Sequence, residues 1–447
     1  MRAMKFASSI PFILLLFSCF ASLSLLLAPS LAETANITGS DRSAVQSGGD
    51  QPDGSTPPAT SFQPGVVWNR TFGGNYNDGA WCLEETADGG FILAGNTAGR
   101  GEGSDLFLVR TDGNGSLLWE KTFGGSGEDA GYFVQQAQDG GFIVTGSTRS
   151  FGMGGELLWL LKTDGNGSLL WDRTFGGFVS STGDGGWSVD ETDDGGYIAA
   201  GYTQSQGSGR KDMWLLKTDA LGNLLWEKTF GGQQDDVGMS VLQSRDGGFI
   251  VAGRTASFGQ GGDDMWLLRT DSEGVELWNA TFGGREDDAA FQVVETEDGY
   301  ALAGRTESGG VGKRVALVRV NRDGRKIWQR EYEGSSAASL ALTGDGGFLL
   351  AGRVDRAESG RDALLIKTDS QGREQWSLIL GGQGDEIGTF AVQCRDGSYG
   401  MAGIASSCGQ GAEDAWLVKV DGVNRKIDAE SMTGNATGNM AGILQEG

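Results

Sequence analysis

Seven tryptophans recur along this chain at intervals of 48 to 55 residues, and each sits in the same short phrase. They are Trp68, Trp119, Trp171, Trp226, Trp278, Trp328 and Trp376. A self-similar period near fifty residues constrains the fold strongly, because each unit must bury its apolar face against the next copy. The second copy shows what one unit contains. Leu117 to Phe123, Tyr132 to Ala137, Phe142 to Gly146 and Trp159 to Thr163 are short runs of β-branched, aromatic or Leu-rich sequence, each bounded by Gly, Asn or Asp. Four strands in about fifty residues is a propeller period rather than a helical-repeat one. The 78 glycines and only 6 prolines fit an all-β chain with many tight turns, and the lack of a Gly-x-y period excludes collagen.

Turn chemistry repeats with the strands. Seven residues before each later Trp lies Asp112, Asp164, Asp219, Asp271, Asn321 or Asp369. Four before it lies Gly115, Gly167, Gly222, Gly274, Gly324 or Gly372. A capping Asp or Asn followed by a Gly that accepts positive φ makes a short hairpin. Asp-Gly-Gly at 88–90, 139–141 and 246–248 makes a second tight turn. We label the strands A (Tyr132 type), B (Phe142 type), C (Trp159 type) and D (Trp119 type). An up-and-down blade then puts the A–B and C–D hairpins on one face of a disc and the longer D–A and B–C loops on the other. The second face carries variable Gly-rich sequence such as Ala256 to Asp263, so binding belongs there.

The expected fold is all-β: a seven-bladed β-propeller of four-stranded antiparallel blades over 66–428. The chain opens with a D strand around Val67-Trp68 and ends with A, B and C strands at 387–420. The N-terminal strand is therefore expected to complete the last blade and close the ring without a free edge. A degenerate D strand at Arg425 to Asp428 competes for that place. Trp68 is favoured, because its strand keeps the full Trp-x-Arg-Thr-Phe-Gly-Gly phrase.

The Trp-x-Lys-Thr-Phe-Gly-Gly and Trp-Leu-Leu-Lys-Thr-Asp motifs resemble the secreted propeller repeats of surface proteins from methanogenic archaea and some bacteria. In strand order the blade is also similar to WD40 and quinoprotein-like blades. The resemblance covers 66–428 and implies a propeller. It implies little about function, and no quinone site is matched.

Residues 1–32 read as a signal peptide, with Arg2 and Lys5 before an apolar run from Ile10 to Ala28 and Ser30-Leu31-Ala32 before Glu33. The run is also long enough to stay as a membrane anchor. Leu16-Phe17-Ser18-Cys19 loosely matches a lipobox, and cleavage is the favoured reading. Residues 33–65 and 429–447 lack apolar periodicity and read as a disordered linker and tail. Export makes the sequons at Asn36, Asn69, Asn114, Asn166, Asn279 and Asn435 candidate glycosylation sites. The protein is expected to be secreted or held on the extracellular cell surface, as a monomer.

The formal charge of −24 becomes two units more negative once Arg2 and Lys5 are removed with the leader. Such a surface disfavours nucleic acid and anionic headgroups and suits cations or basic partners. No histidine occurs anywhere, which excludes Ser-His-Asp triads, Cys-His dyads and His-ligated metals.

An acid stands ten residues before nearly every A–B turn Asp: Asp78, Asp129, Asp184, Asp236, Asp288 and Glu386, with Ser335 as the exception. Such a ring suits Ca²⁺, the one cofactor considered, or a cationic ligand. Its regular repetition favours instead an Asp that holds its own Gly-rich loop. A second ring, Glu85, Gln136, Glu191, Gln243, Glu295 and Gln393, with Leu342 in blade six, is expected to bond across blade interfaces. Asp105, Asp212, Asp264, Asp362 and Asp414 read as caps at the start of C strands. Trp81 and Trp187, on A strands near the long-loop face, are candidate ligand contacts, whereas the D-strand Trp residues read as packing.

Eleven of the 35 basic residues fall between Arg305 and Arg361, among them Lys313, Arg314, Arg322, Arg353 and Arg356. That sector is either an anionic-partner surface or repeat decay. Cys82 and Cys408 lie on neighbouring blades of a closed ring, so a disulfide between them is conceivable, and Cys394 is expected to stay free. The leading functional expectation is a non-enzymatic scaffold binding envelope protein or glycan through the long-loop face. The alternatives are a carbohydrate-active hydrolase or lyase using loop carboxylates, and a Ca²⁺-dependent adhesion module.

Overall fold

The computed structural model describes residues 64–98, 103–152, 155–177, 183–310, 312–356 and 360–422. The expected signal peptide, tail and competing strand at 425–428 lie outside these residues, as do Asn36, Asn435 and most of the linker. Contacts divide the chain at Pro58/Ala59, and all described residues belong to the second unit.

Among the described residues, 28 strands and no helix form seven four-stranded antiparallel sheets. Blade one is β2 (Asp78–Glu85), β3 (Phe91–Ala98), β4 (Ser104–Thr111) and β5 (Leu117–Phe123), paired in that order. Blade two runs from β6 (Asp129–Gln136) to β9 (Leu169–Phe175), and blade three from β10 (Gly185–Glu191) to β13 (Leu224–Phe230). Blade four spans β14 (Asp236–Gln243) to β17 (Glu276–Phe282). Blades five and six span β18 (Asp288–Glu295) to β21 (Lys326–Tyr332) and β22 (Ser336–Leu342) to β25 (Glu374–Leu380). The A strand of each blade touches the A strands of both neighbours, which makes it the innermost.

Blade seven is β26 (Glu386–Gln393), β27 (Tyr399–Ala405), β28 (Asp414–Val420) and, as its outer strand, β1 (Val66–Phe72). Thr71 pairs with Trp416 in this closing ladder. Gly65 N donates to Asp421 Oδ1 at 2.8 Å, and Asp421 N donates to Gly65 O at 2.9 Å. The ring closes through Trp68, as its intact phrase predicts.

The core consists of seven clusters, each shared by two adjacent blades. Ile250 and Met265 of blade four, for example, pack with Leu302 and Val318 of blade five. Every D-strand Trp meets the first aromatic of the next blade's B strand, with centroids 5.3 to 6.2 Å apart. The same ring covers the next C–D turn. Gly222 has φ +74°, and a Cβ there would lie 2.7 Å from Trp171, so both backbone and space require glycine.

The second ring behaves as expected. Gln136, Glu191, Gln243, Glu295, Gln393 and Glu85 each accept a backbone N–H from the A–B turn of the preceding blade, at 2.6 to 3.0 Å. Leu342 lacks an acceptor, so the junction of blades five and six loses this bond. One regular feature was not assigned from the sequence. In all seven blades the A–B turn Asp pairs with the basic residue near the end of strand C: Asp88 with Arg110, Asp139 with Lys162, Asp194 with Lys217, Asp246 with Arg269, Asp298 with Arg319, Asp345 with Lys367 and Asp396 with Lys419. The Lys of the Leu-Leu-Lys-Thr-Asp motif was its visible sign.

Candidate functional site

Each A strand is bulged at the same place. The pairing skips Trp81, Tyr132, Trp187, Met239, Phe291, Ala338 and Thr389 in successive blades. A bulge leaves one residue unpaired and re-aims its side chain. The partner strand permits it by carrying a glycine: a Cβ on Gly146 would lie 1.8 Å from Ala130 O. The bulged residues sit at the long-loop end of the innermost strands, and all but the buried Thr389 are half-buried. The seven strands thus present a ring of re-aimed side chains around the mouth of the propeller axis.

The residue after the B-strand glycine stands beside each bulge. It is Asn96, Ser147, Tyr202, Arg254, Arg305, Arg353 and Ile404 in blade order. In blades one to three the bulged residue itself is aromatic. Trp81 Nε1 donates to Asn96 Oδ1 at 2.8 Å, and the Tyr132 hydroxyl lies 3.4 Å from Ser147 Oγ. The Tyr132 and Trp187 rings lie 4.3 Å apart by centroid, and Trp187 touches Tyr202 at 6.4 Å. Lys211 Nζ sits 4.0 Å from the Tyr202 ring centre, a cation–π contact. Blades four to six carry arginine after the B-strand glycine, beside Met239, Phe291 and Ala338 at the bulges. Arg254 pairs with Asp263, Arg353 Nε lies 3.0 Å from Asp355, and Arg305 reaches Glu307 only at 4.0 Å. Burial lowers the Arg353 pKa to about 10, with Arg361 and Arg305 adding repulsion against the pull of Asp355. One residue further down the strands, Phe133 and Phe390 meet at 5.8 Å across blade one and give that side an apolar floor.

The acidic ring lies buried at the same end, with each member 0 to 2% exposed. Each accepts a backbone N–H from the glycine that ends the preceding D strand: Asp78 from Gly74, Asp129 from Gly125, Asp184 from Gly177, Asp236 from Gly232, Asp288 from Gly284 and Glu386 from Gly382, at 2.6 to 2.9 Å. Several also hold the B–C loop, as when Ser257 Oγ donates to Asp236 at 2.6 Å and Ser308 Oγ to Asp288 at 2.7 Å. Most of their lone pairs serve their own loops, while Asp78 Oδ1 and Asp288 Oδ1 are buried without a hydrogen-bond partner among the described residues. No group of three such side chains gathers as metal donors among the described residues. Asp212, Asp264 and Asp414 cap their B–C loops through backbone N–H groups at 2.7 to 3.0 Å.

Two expectations are corrected. Cys82 and Cys408 are free thiols facing different interfaces. Cys82 packs between blades one and two, whereas Cys408 lies against the cluster of blades six and seven, so they do not meet. The buried Cys394 is also free, as expected. Nor is the basic sector one patch. Arg322 lies in a C–D turn against Glu295 and Glu297, on the opposite face from Arg353. Of the others, Lys313 is exposed, Arg314 pairs with Glu331 and Glu333, and Arg356 pairs with Asp362.

Towards the short-hairpin face the inner strands of blades one to three carry Glu84, Gln135 and Asp190. Gln135 Nε2 donates to Asp190 Oδ1 at 2.8 Å, and Gln136 N donates to Glu84. Burial pushes the Glu84 carboxyl up to about 7 against the Gln136 hydrogen bond, and the Asp190 charge adds to the rise. Asp190 is likewise raised by burial. Sequons Asn69 and Asn279 lie exposed on outer strands, and Asn114 and Asn166 lie exposed in C–D turns. All four stand away from the long-loop mouth.

Fold and site together define a seven-bladed β-propeller with an asymmetric axial mouth. No protein-family model matches the chain. A stretch of 114 residues is 29% identical to the regulatory protein FlaEY of Caulobacter vibrioides, covering 22% of this chain. The match spans only about an eighth of that curated relative's length, 12%. Among solved structures, the chain is similar to the Pan2 WD40 domain of Neurospora crassa, with 10% identity, a TM-score of 0.48, and 82% and 97% of the two chains covered. It is also similar to the periplasmic gluconolactonase of Pseudomonas aeruginosa, with 14% identity, a TM-score of 0.44, and 68% and 86% covered.

Proposed function

We propose that this protein is a non-enzymatic binding scaffold, secreted or held at the cell surface, that engages envelope glycan through the long-loop mouth. The observation that carries this reading is the half-buried aromatic arc of Trp81, Tyr132 and Trp187 on three adjacent blades. Half-buried aromatic rings suit the C–H faces of sugar rings, and a few polar groups beside them fix orientation. The four exposed sequons among the described residues lie on the rim and the opposite face, away from that mouth. Carboxylates already engaged by their loops favour binding over acid–base chemistry, which needs a free acid and base at a set separation.

The test is retention of the full-length secreted chain on envelope polysaccharide prepared from the cells that make it. A Trp81→Ala/Trp187→Ala double variant with an unchanged melting curve is expected to lose most of that retention. Equal retention of wild type and double variant would overturn the reading.

A further inference from the structure

The glycan reading leaves the other half of the mouth unused, and this inference rests on that reading. We infer that the ligand carries an acid group, a carboxylate on a sugar ring at a chain end, received by Arg254, Arg305 and Arg353 while the ring lies against the aromatic arc. The three arginines occupy one register position on consecutive blades, each directly after the B-strand glycine. Asn96, Ser147 and Tyr202 fill that position in blades one to three and touch the aromatic side chains there. Register therefore places the three arginines at the same level as the aromatic residues, on the facing arc.

The second observation concerns hydrogen bonding. Arg305 is 8% exposed, and its Nε is buried with no hydrogen-bond partner among the described residues. Its one ion pair among the described residues is the long contact to Glu307. On the aromatic arc, Trp187 Nε1 is buried and equally without an acceptor. Buried donors left unmade are uncommon in native proteins and ask for an explanation such as a ligand or ion. Both orphans are donors that cannot accept, so the missing partner is rich in acceptor oxygen. Guanidinium groups favour a planar carboxylate because two parallel N–H bonds match its two oxygens.

The protein's net charge of −24 selects further. A long polyanion is repelled by the surface as a whole, whereas a single acid group can be met by Arg305, whose own ion pair with Glu307 is long. The ligand is thus a short or terminal acidic sugar and not an extended polyanion.

The experiment compares oligogalacturonate trimers with neutral galactose trimers of the same length, read by intrinsic tryptophan fluorescence and calorimetry on the full chain. Wild type is expected to bind the acidic trimer about tenfold tighter, the order expected from one charge-assisted hydrogen bond. Arg305→Gln should erase that difference and leave neutral-trimer binding in place. Lys313→Gln, on the exposed loop, should change nothing. A melting curve for Arg305→Gln guards against misfolding, and the wild-type comparison stands without it. Equal affinity of wild type for the two trimers overturns the acid-group inference but keeps the glycan reading. Binding of neither trimer, together with loss of the envelope retention described above, withdraws both.

Discussion

Lys217 is buried, and its ammonium lies 2.9 Å from the Asp194 carboxylate, which is mostly exposed. Besides that partner, Lys217 Nζ reaches only the Thr218 carbonyl among the described residues, at 3.0 Å. The two halves of the pair therefore have unequal consequences. Asp194→Ala strands a buried charge and is expected to destabilise by about 1–3 kcal/mol. Lys217→Met removes the charge together with its desolvation and is expected to cost less. Urea titrations of the two variants check the order, and a larger loss for Lys217→Met would contradict this account of the pair. At this scale much was legible. Turn Asp and Gly positions announce themselves because short hairpins admit few residues. The arginines of the mouth were visible too, in Ala-Gly-Arg at 252–254, 303–305 and 351–353. Their direction was not, because it depends on a bulge in a different strand. Cys82 and Cys408 failed for a related reason: neighbouring blades do not imply that two side chains point at the same interface.

Strand β1 is the one outer strand that lies far in sequence from the rest of its blade. A chain lacking residues up to 72 is expected to leave β28 as an unpaired edge and to remove Trp68 from Phe91. Such a chain should melt at lower temperature and self-associate on size-exclusion chromatography. An unchanged Tm and monomeric elution would show that another segment supplies the closing strand. Element boundaries were read unevenly from the sequence. The outer strand at Leu117 to Phe123 matches in full, since the Gly turn before it and Gly124-Gly125 after it mark both of its ends. The inner strand of the same copy begins at Asp129, three residues before the apolar run at Tyr132. Asp129-Ala130-Gly131 hides that start, because the bulge after it breaks the period of two.

Charge in the whole molecule acts in two opposed pH windows. The turn acids Asp88, Asp194 and Asp396 are held at about 2, below an ordinary 3.8. For Asp88 the Thr86 hydroxyl is the largest cause; for the other two, burial works upwards and is outweighed by hydrogen bonds from Lys217 and Thr192 or from Lys419 and Ser398. Folded pKa values below the unfolded ones contribute stability above about pH 4 that disappears as the pH falls towards 2. Glu84 runs the other way, from an ordinary 4.5 up to about 7. Its burial is best tolerated below pH 4.5, and that advantage is lost as the pH rises to about 7. Thermal stability is therefore expected to peak at mildly acidic pH, and Glu84→Gln should flatten the fall between pH 4.5 and 7. Melting curves across pH 2–8 check both limbs. Glu84→Gln with an unaltered upper limb would remove Glu84 as its cause.

The closing of blade seven by β1 also bears on how such a chain changes by inheritance. The unit repeated in the gene runs from one Trp phrase to the next, D strand first, while the blade it builds begins at strand A. Unequal crossing-over between two Trp phrases would delete or add one whole genetic unit. Because the first D strand and the final A, B and C strands stay at their own ends of the chain, every such product still encodes a full set of blades. The D strand carried at the front of the chain then closes whichever blade comes last.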